Sequence, residues 1–218
     1  MADRCLLYYI TDRSQFRGDE RARRRALLAK VAEAARARVD YIQFRERDLS
    51  ARELETLARE VVVAVRENSP STRLLINSRT DVALAAGADG VHLRADDVAP
   101  HEVRGLLEVS GHRPLTTDHF LVAASCHSNE DVIRAEREAV DFAVFAPVFG
   151  KRNAPGTQPA GLAALREACR AKIPVLALGG INVENAASCL NAGAAGIAAI
   201  RLFQENKIED VVRALRAL

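Results

Sequence analysis

Gln43, Arg45 and Arg47 alternate with Phe44 and Glu46 in the run QFRER. On an extended segment that alternation puts all three polar side chains on one face. Two guanidiniums held side by side away from water are costly unless an anion meets them. Their planar donor forks suit a phosphate or diphosphate bound in bidentate fashion. The competing arrangement is an arginine paired with Glu46 or with an aspartate of a neighbouring segment.

Oxygen-bearing side chains gather further on. Asn77 and Ser78 close one apolar run, with Arg79 and Asp81 beyond it, and His92 closes another, followed by Asp96 and Asp97. Such oxygens, brought together from neighbouring strand ends, suit Mg²⁺ when phosphate oxygens complete the shell. Asp97 also stands where a helix N-cap would, ahead of Val98-Ala99-Pro100. His92 is equally well explained as a satisfied histidine packed in a barrel mouth. Ser125 and His127 alternate after a fifth run, and Ser128 reads as the cap of a following helix. Gly179-Gly180 and Ile200-Arg201 end two later runs, where glycine lets backbone N–H groups approach phosphate oxygens. The segment GKRNAPGTQPAG, residues 150–161, carries the cations Lys151 and Arg152. It reads either as a phosphate-gripping lid or as a plain surface loop.

The elements that must position these residues repeat about eight times: a short apolar run, polar residues, then an amphipathic charged stretch. The runs fall at residues 6–11, 41–46, 73–78, 90–95, 120–127, 142–149, 174–180 and 196–203. Continuous β-branched and Leu-rich runs suit parallel strands buried on both faces. Helical patterns follow at 19–38, 50–66, 80–86, 100–109, 128–139, 162–172, 183–192 and 208–218, and Ser50 with Glu53 forms a capping-box pattern. Eight such units predict an α/β fold, a (β/α)₈ TIM barrel forming one domain over residues 1–218, with its site at the strands' C-terminal ends.

Bulk properties exclude other classes. The chain is 49% hydrophobic and 28% charged, enough for a sizeable core. Its 31 basic residues nearly match its 29 acidic ones, so no nucleic-acid partner is expected. The basic run at 21–25 reads as a solvated helix face. The four cysteines are scattered without paired spacing, and no N-terminal signal is visible, so reduced thiols and a cytoplasmic location are expected. Cys126, at a strand end, is the one thiol placed where a nucleophile would stand. No run approaches membrane-spanning length. Oligomeric state stays open, a homo-oligomer included.

Taken together, YITD (9–12), QFRER (43–47), INSRTDVALAAGADGVHL (76–93), SCHSNED (125–131), APVF (146–149), ALGGINVEN (177–185) and GIAAI (196–200) resemble the thiamine-phosphate synthase superfamily, which includes the thiazole tautomerases. The resemblance spans nearly the whole chain. It implies a transferase that joins hydroxymethylpyrimidine diphosphate to a thiazole phosphate, with Mg²⁺ and cations stabilising the departing diphosphate. By motif, Gln43, Arg45 and Asn77 fall on pyrimidine-diphosphate positions and Asp97 on a Mg²⁺ position. Ser125 falls on the diphosphate side, and Gly180 with Ile200 on the thiazole-phosphate site. The wider set expected to act includes Arg47, His92, Lys151, Arg152, Gly179 and Arg201.

The chain departs from the family pattern at several places. Arg47 replaces the usual lysine, Ser78 an Mg²⁺ aspartate, Arg94 a glycine, and Arg201 a serine of the last phosphate loop. Residues 150–153 replace a Thr-x-Thr-Lys segment. Pro147 stands where the tautomerases carry their acid–base histidine, and proline transfers no protons. A synthase is therefore the leading expectation. A tautomerase-like enzyme, or a diverged protein that binds thiamine phosphate or thiazole phosphate without turnover, is the alternative.

Overall fold

A computed structural model describes residues 4–110, 119–150 and 158–218. Eight parallel strands close into a barrel in sequence order: β1 (Leu6–Ile10), β2 (Tyr41–Phe44), β3 (Arg73–Asn77), β4 (Gly90–Leu93), β5 (Leu121–Cys126), β6 (Phe142–Phe145), β7 (Val175–Leu178) and β8 (Gly196–Ala199). Closure is made by β1, which pairs Tyr8 with Tyr41 on one side and Leu6 with Gly196 on the other. The helices between strands are α1 (Glu20–Arg36), α2 (Ala51–Asn68), α3 (Thr80–Ala86), α4 (Pro100–Ser110), α5 (Asn129–Arg137), α6 (Gly161–Ala168) and α7 (Val183–Asn191); α8 (Arg201–Gln204) and α9 (Ile208–Arg216) follow β8. Among the described residues no helix is long and apolar enough to cross a membrane.

The alternation of strand side chains divides the core into two layers. Tyr8, Leu75, Phe142, Val144 and Leu176 fill the barrel interior, while Tyr9, Ile42, Ile76, Val91 and Ile197 face the helices. Against the outer layer α2 lays Leu54, Leu57, Val61 and Val65, each worth roughly 1.5–3 kcal/mol when fully buried. Its start is set by the expected capping box: Ser50 caps the Glu53 N–H, and the Glu53 carboxylate accepts the Ser50 N–H at 3.0 Å. Ser128 does the same with Asp131 at the head of α5.

Register at the bottom of the barrel is pinned by one device used three times. Asp40, Asp89 and Asp141, each just before an even-numbered strand, accept the backbone N–H of Leu7, Leu74 and Val122 on the preceding strand at 2.8, 2.8 and 2.6 Å. Each carboxylate satisfies a donor that the ladder leaves free.

The strands are shorter than the apolar runs. β2 ends at Phe44, so Arg45 and Arg47 ride on the loop beyond it. β8 ends at Ala199, and Arg201 does not end the strand but begins a helical turn. The Gln204 N–H donates to the Ile200 carbonyl at 3.0 Å, a bond within the turn that a strand would not form.

Candidate active site at the barrel mouth

The C-terminal ends of the strands open into two adjoining cavities. One, about 660 Å³, is lined by Gln43, Asn77, His92, Arg94 and Ser125. The other, about 700 Å³, is lined by Gly179, Gly180, Ile200 and Arg201. Arg45 and Arg47 line both and stand at the partition between them. Lys151 and Arg152 lie outside the described residues. The remaining expected site residues thus collect in one bipartite mouth, except Asp97, which lines a small neighbouring cavity between α4 and α5.

Residues just past β1 hold the partition in place. Glu46 is buried, and its carboxylate accepts the Thr11 hydroxyl at 2.7 Å, the Arg13 N–H at 3.0 Å and the Arg13 Nη1 at 3.2 Å. The same Thr11 Oγ accepts the Arg45 N–H at 3.0 Å. Arg13 is itself buried, and it also reaches Asp48 and Glu20. Burial works against its charge, but the hydrogen bonds to Asp48, Glu20 and Glu46 outweigh that and hold its pKa above the ordinary arginine value. For Glu46 the balance goes the other way: burial raises its pKa more than Thr11 and Arg13 lower it. Glu46 is therefore committed to Arg13. Among the described residues, the side chains of Arg45 and Arg47 have no acidic partner.

In the first cavity, His92 is buried between two hydroxyls. The Tyr8 hydroxyl lies 3.0 Å from Nδ1 and Ser125 Oγ lies 2.8 Å from Nε2. Burial pushes the imidazole pKa down to about 3, against a smaller pull from Asp97, so the ring is neutral at physiological pH. Burial raises the Tyr8 pKa well above normal. Asn77 donates to the Ser78 hydroxyl at 3.0 Å. Arg79 grips both oxygens of Asp81 through Nε and Nη2. His127 is turned aside, its Nδ1–H donating to the Ala146 carbonyl at 2.7 Å. Cys126 is buried, and burial pushes its thiol up to about 12, which removes it as a nucleophile.

The second cavity depends on glycine. Gly179 and Gly180 have φ of 104° and 64°, and a Cβ on Gly180 would lie 2.6 Å from the Gly150 carbonyl oxygen. Only a residue without a side chain fits that turn.

The described residues do not by themselves supply a full Mg²⁺ shell; phosphate oxygens of a ligand would have to complete it. Among the described residues no group of three or more His, Cys, Asp or Glu side chains is placed to hold a metal. Asp97 is not the N-cap of α4, which begins at Pro100. Its Oδ2 accepts the Arg94 N–H at 2.7 Å, and its Oδ1 accepts Arg94 Nη2 at 2.9 Å and Nε at 3.2 Å. Burial raises its pKa, but Arg94 and the Ser78 hydroxyl outweigh this and hold it below the ordinary carboxylate value.

Sequence reasoning missed Tyr8, Thr11, Arg13 and the buried role of Glu46. The signal available is the polar triplet Thr11-Asp12-Arg13 ending the first run.

A closed parallel barrel whose mouth offers unpaired arginines, a glycine turn and neutral hydrogen-bonding groups defines a phosphate-handling (β/α)₈ enzyme. The sequence profile of the family described as "Thiamine monophosphate synthase" matches residues 7–203. A relative from Geobacter sulfurreducens is 40% identical over 97% of this chain and 93% of its own. A thiamine-phosphate synthase from Methanoculleus marisnigri is 36% identical over 96% of this chain and 93% of its own. The solved structure of a thiamine phosphate pyrophosphorylase from Pyrococcus furiosus superposes with a TM-score of 0.78 at 28% identity, covering 99% of this chain and 95% of that one. The chain belongs to the thiamine monophosphate synthase family.

Proposed function

We propose that the chain is a thiamine-phosphate synthase, a transferase that couples hydroxymethylpyrimidine diphosphate with thiazole phosphate and releases diphosphate. The observation that carries this reading is the bipartite mouth: two cavities of similar size, each with polar lining residues of its own, meeting at Arg45 and Arg47. A site for one substrate has no need of the second chamber.

The pyrimidine diphosphate takes the first cavity, with Gln43 and Asn77 on the ring and Arg45, Arg47 and Ser125 on the diphosphate. The thiazole phosphate takes the second, on Gly179, Gly180, Ile200 and Arg201. The methylene C–O bond breaks and its electron pair leaves on the diphosphate oxygen. The thiazole nitrogen then gives its lone pair to the methylene carbon. Charge appears on the diphosphate as the bond breaks, so cations already standing at the partition stabilise the transition state more than the ground state. Placing the two rings face to face across one partition supplies proximity. Four free thiols accord with a reducing, cytoplasmic setting.

The test is direct. The purified chain, given both phosphorylated heterocycles, yields thiamine phosphate detectable by mass spectrometry. Tight binding of thiamine phosphate without turnover would instead identify a binding protein, and conversion of a thiazole carboxylate tautomer alone would identify a tautomerase.

A further inference from the structure

A diphosphate entering the first cavity brings several negative charges, and a cleft accepts them only against cations or strong donors. A metal shell would draw on Asp97 and a second carboxylate from the neighbouring strand end. The neighbour is Ser78, whose hydroxyl hydrogen-bonds to Asp97, and both Asp97 oxygens are already taken by Arg94. The next carboxylate, Asp96, stands 3.6 Å from Arg94 Nε and is exposed. At this corner Asp97 Oδ1 and one Asp96 oxygen face the Arg94 guanidinium, and Asp97 Oδ2 holds the Arg94 backbone N–H.

That arrangement leaves Arg94 one donor. Its Nε and Nη2 meet the same oxygen, Asp97 Oδ1, which leaves Nη1 with no partner among the described residues. The side chain lines the first cavity together with Arg45 and Arg47. Asp97 is only 9% exposed and holds the Arg94 backbone as well as its head. It acts as a bracket that fixes the direction of the guanidinium.

We propose that Arg94 is the resident cation of this cavity, held by Asp97 and supplying the positive charge that a divalent ion would otherwise bring, so that the chain binds diphosphate without metal. The inference rests on the reading that this cavity receives the diphosphate. A fixed guanidinium offers directed hydrogen bonds as well as charge, and it needs no recruitment from solution.

Titration calorimetry with inorganic diphosphate tests this on the full chain, in EDTA and in millimolar Mg²⁺, with free diphosphate corrected for its magnesium complex. The expected result is a Kd in EDTA within about threefold of that in Mg²⁺, and a loss of about tenfold or more in EDTA for Arg94→Gln. Arg170→Gln, on the exposed α6–β7 connection, controls for net charge and is expected to change little. A tenfold loss in the native chain when Mg²⁺ is removed overturns the proposal, as does an Arg94→Gln variant that binds normally in EDTA. Absence of diphosphate binding under both conditions overturns it as well. A chain that binds diphosphate through Arg94 in EDTA but makes no thiamine phosphate overturns the synthase reading and leaves this one standing.

Discussion

The Tyr8 hydroxyl stands 3.0 Å from Nδ1 of His92 and has no other hydrogen-bond partner among the described residues. Both groups are buried, so the phenolic proton must find its acceptor there or go unsatisfied. Tyr8 therefore donates to Nδ1. The ring proton of a neutral imidazole is then forced onto Nε2, which donates to Ser125 Oγ at 2.8 Å. With one lone pair engaged, the serine hydroxyl is left free to donate its own proton into the cavity, the polarity an anionic ligand needs.

This chain of hydrogen bonds predicts the Nε2–H tautomer for His92. Histidine-selective ¹⁵N spectra of the ligand-free protein read it directly, with a protonated Nε2 and a bare Nδ1. Tyr8→Phe removes the donor, mixes the tautomers and weakens diphosphate binding by a few-fold, about the worth of one hydrogen bond. A native spectrum showing Nδ1–H would sink the assignment.

Stability should also depend on pH through the same ring. Its folded pKa is about 3 against an ordinary value of 6.5, so between those values the unfolded chain binds a proton that the folded chain does not. The contribution of neutral His92 is complete above pH 6.5 and is lost progressively as pH falls from there toward 3. Its full size is a few kcal/mol, of the order that such a shift implies. Urea titrations of native protein and of His92→Gln, compared at pH 7 and pH 4.5, should show the smaller acid loss in the variant. Equal losses would mean that the ring is protonated in the folded state.

How far the sequence reveals this mouth depends on whether a residue's partner is local. The barrel follows from period and run length, and the caps at Ser50 and Ser128 follow from spacing, because each concerns neighbours in the chain. The alternation predicts Arg45 and Arg47 on a shared strand face; they share a cavity, but from a loop after Phe44. The fate of Glu46 was not legible, since Arg13 reaches it from 33 residues away. Asp97 stands in the sequence as a metal position or a cap; it is not the cap of α4, and it pairs with Arg94, three residues back, an i,i+3 pair visible in the sequence. Tyr8 looked like core in an apolar run, and only closure of β1 against β8 brings its strand into the ring that also carries His92.

The two cavities should be separable by mutation. Arg45→Ala weakens inorganic diphosphate binding by about ten- to a hundredfold, as expected for losing charge-assisted hydrogen bonds worth roughly 1.5–3 kcal/mol. Arg201→Ala, which lines only the second cavity, leaves diphosphate binding nearly unchanged and weakens thiazole phosphate instead. Calorimetry with each ligand alone distinguishes the sites. If both variants lose both ligands equally, the mouth is one undivided anion pocket.

Arg13 carries a heavier structural burden than any arginine in the mouth. Its head is only 4% exposed and faces Glu46, Asp48 and Glu20. Removing it by Arg13→Gln leaves the Glu46 carboxylate buried without a countercharge, a loss of about 3–5 kcal/mol. Burial already holds the Glu46 pKa above its ordinary value, and without Arg13 it climbs further. A carboxyl whose folded pKa exceeds its unfolded one binds its proton on folding, so its cost vanishes at low pH and grows as pH rises. Asp48 and Glu20, whose pKa values Arg13 depresses, add a further loss only below their ordinary values of 3.8 and 4.5, so above pH 4.5 the pH dependence comes from Glu46. The deficit of Arg13→Gln should therefore be largest near neutrality and shrink toward pH 4.5. Adding Glu46→Gln should recover part of it at neutral pH, since a neutral amide costs less to bury than a lone carboxylate. Denaturant titrations of the two variants across pH measure both effects. A deficit that is flat with pH and not relieved by the second substitution would show that Arg13 acts through packing of its stem and not through its charge.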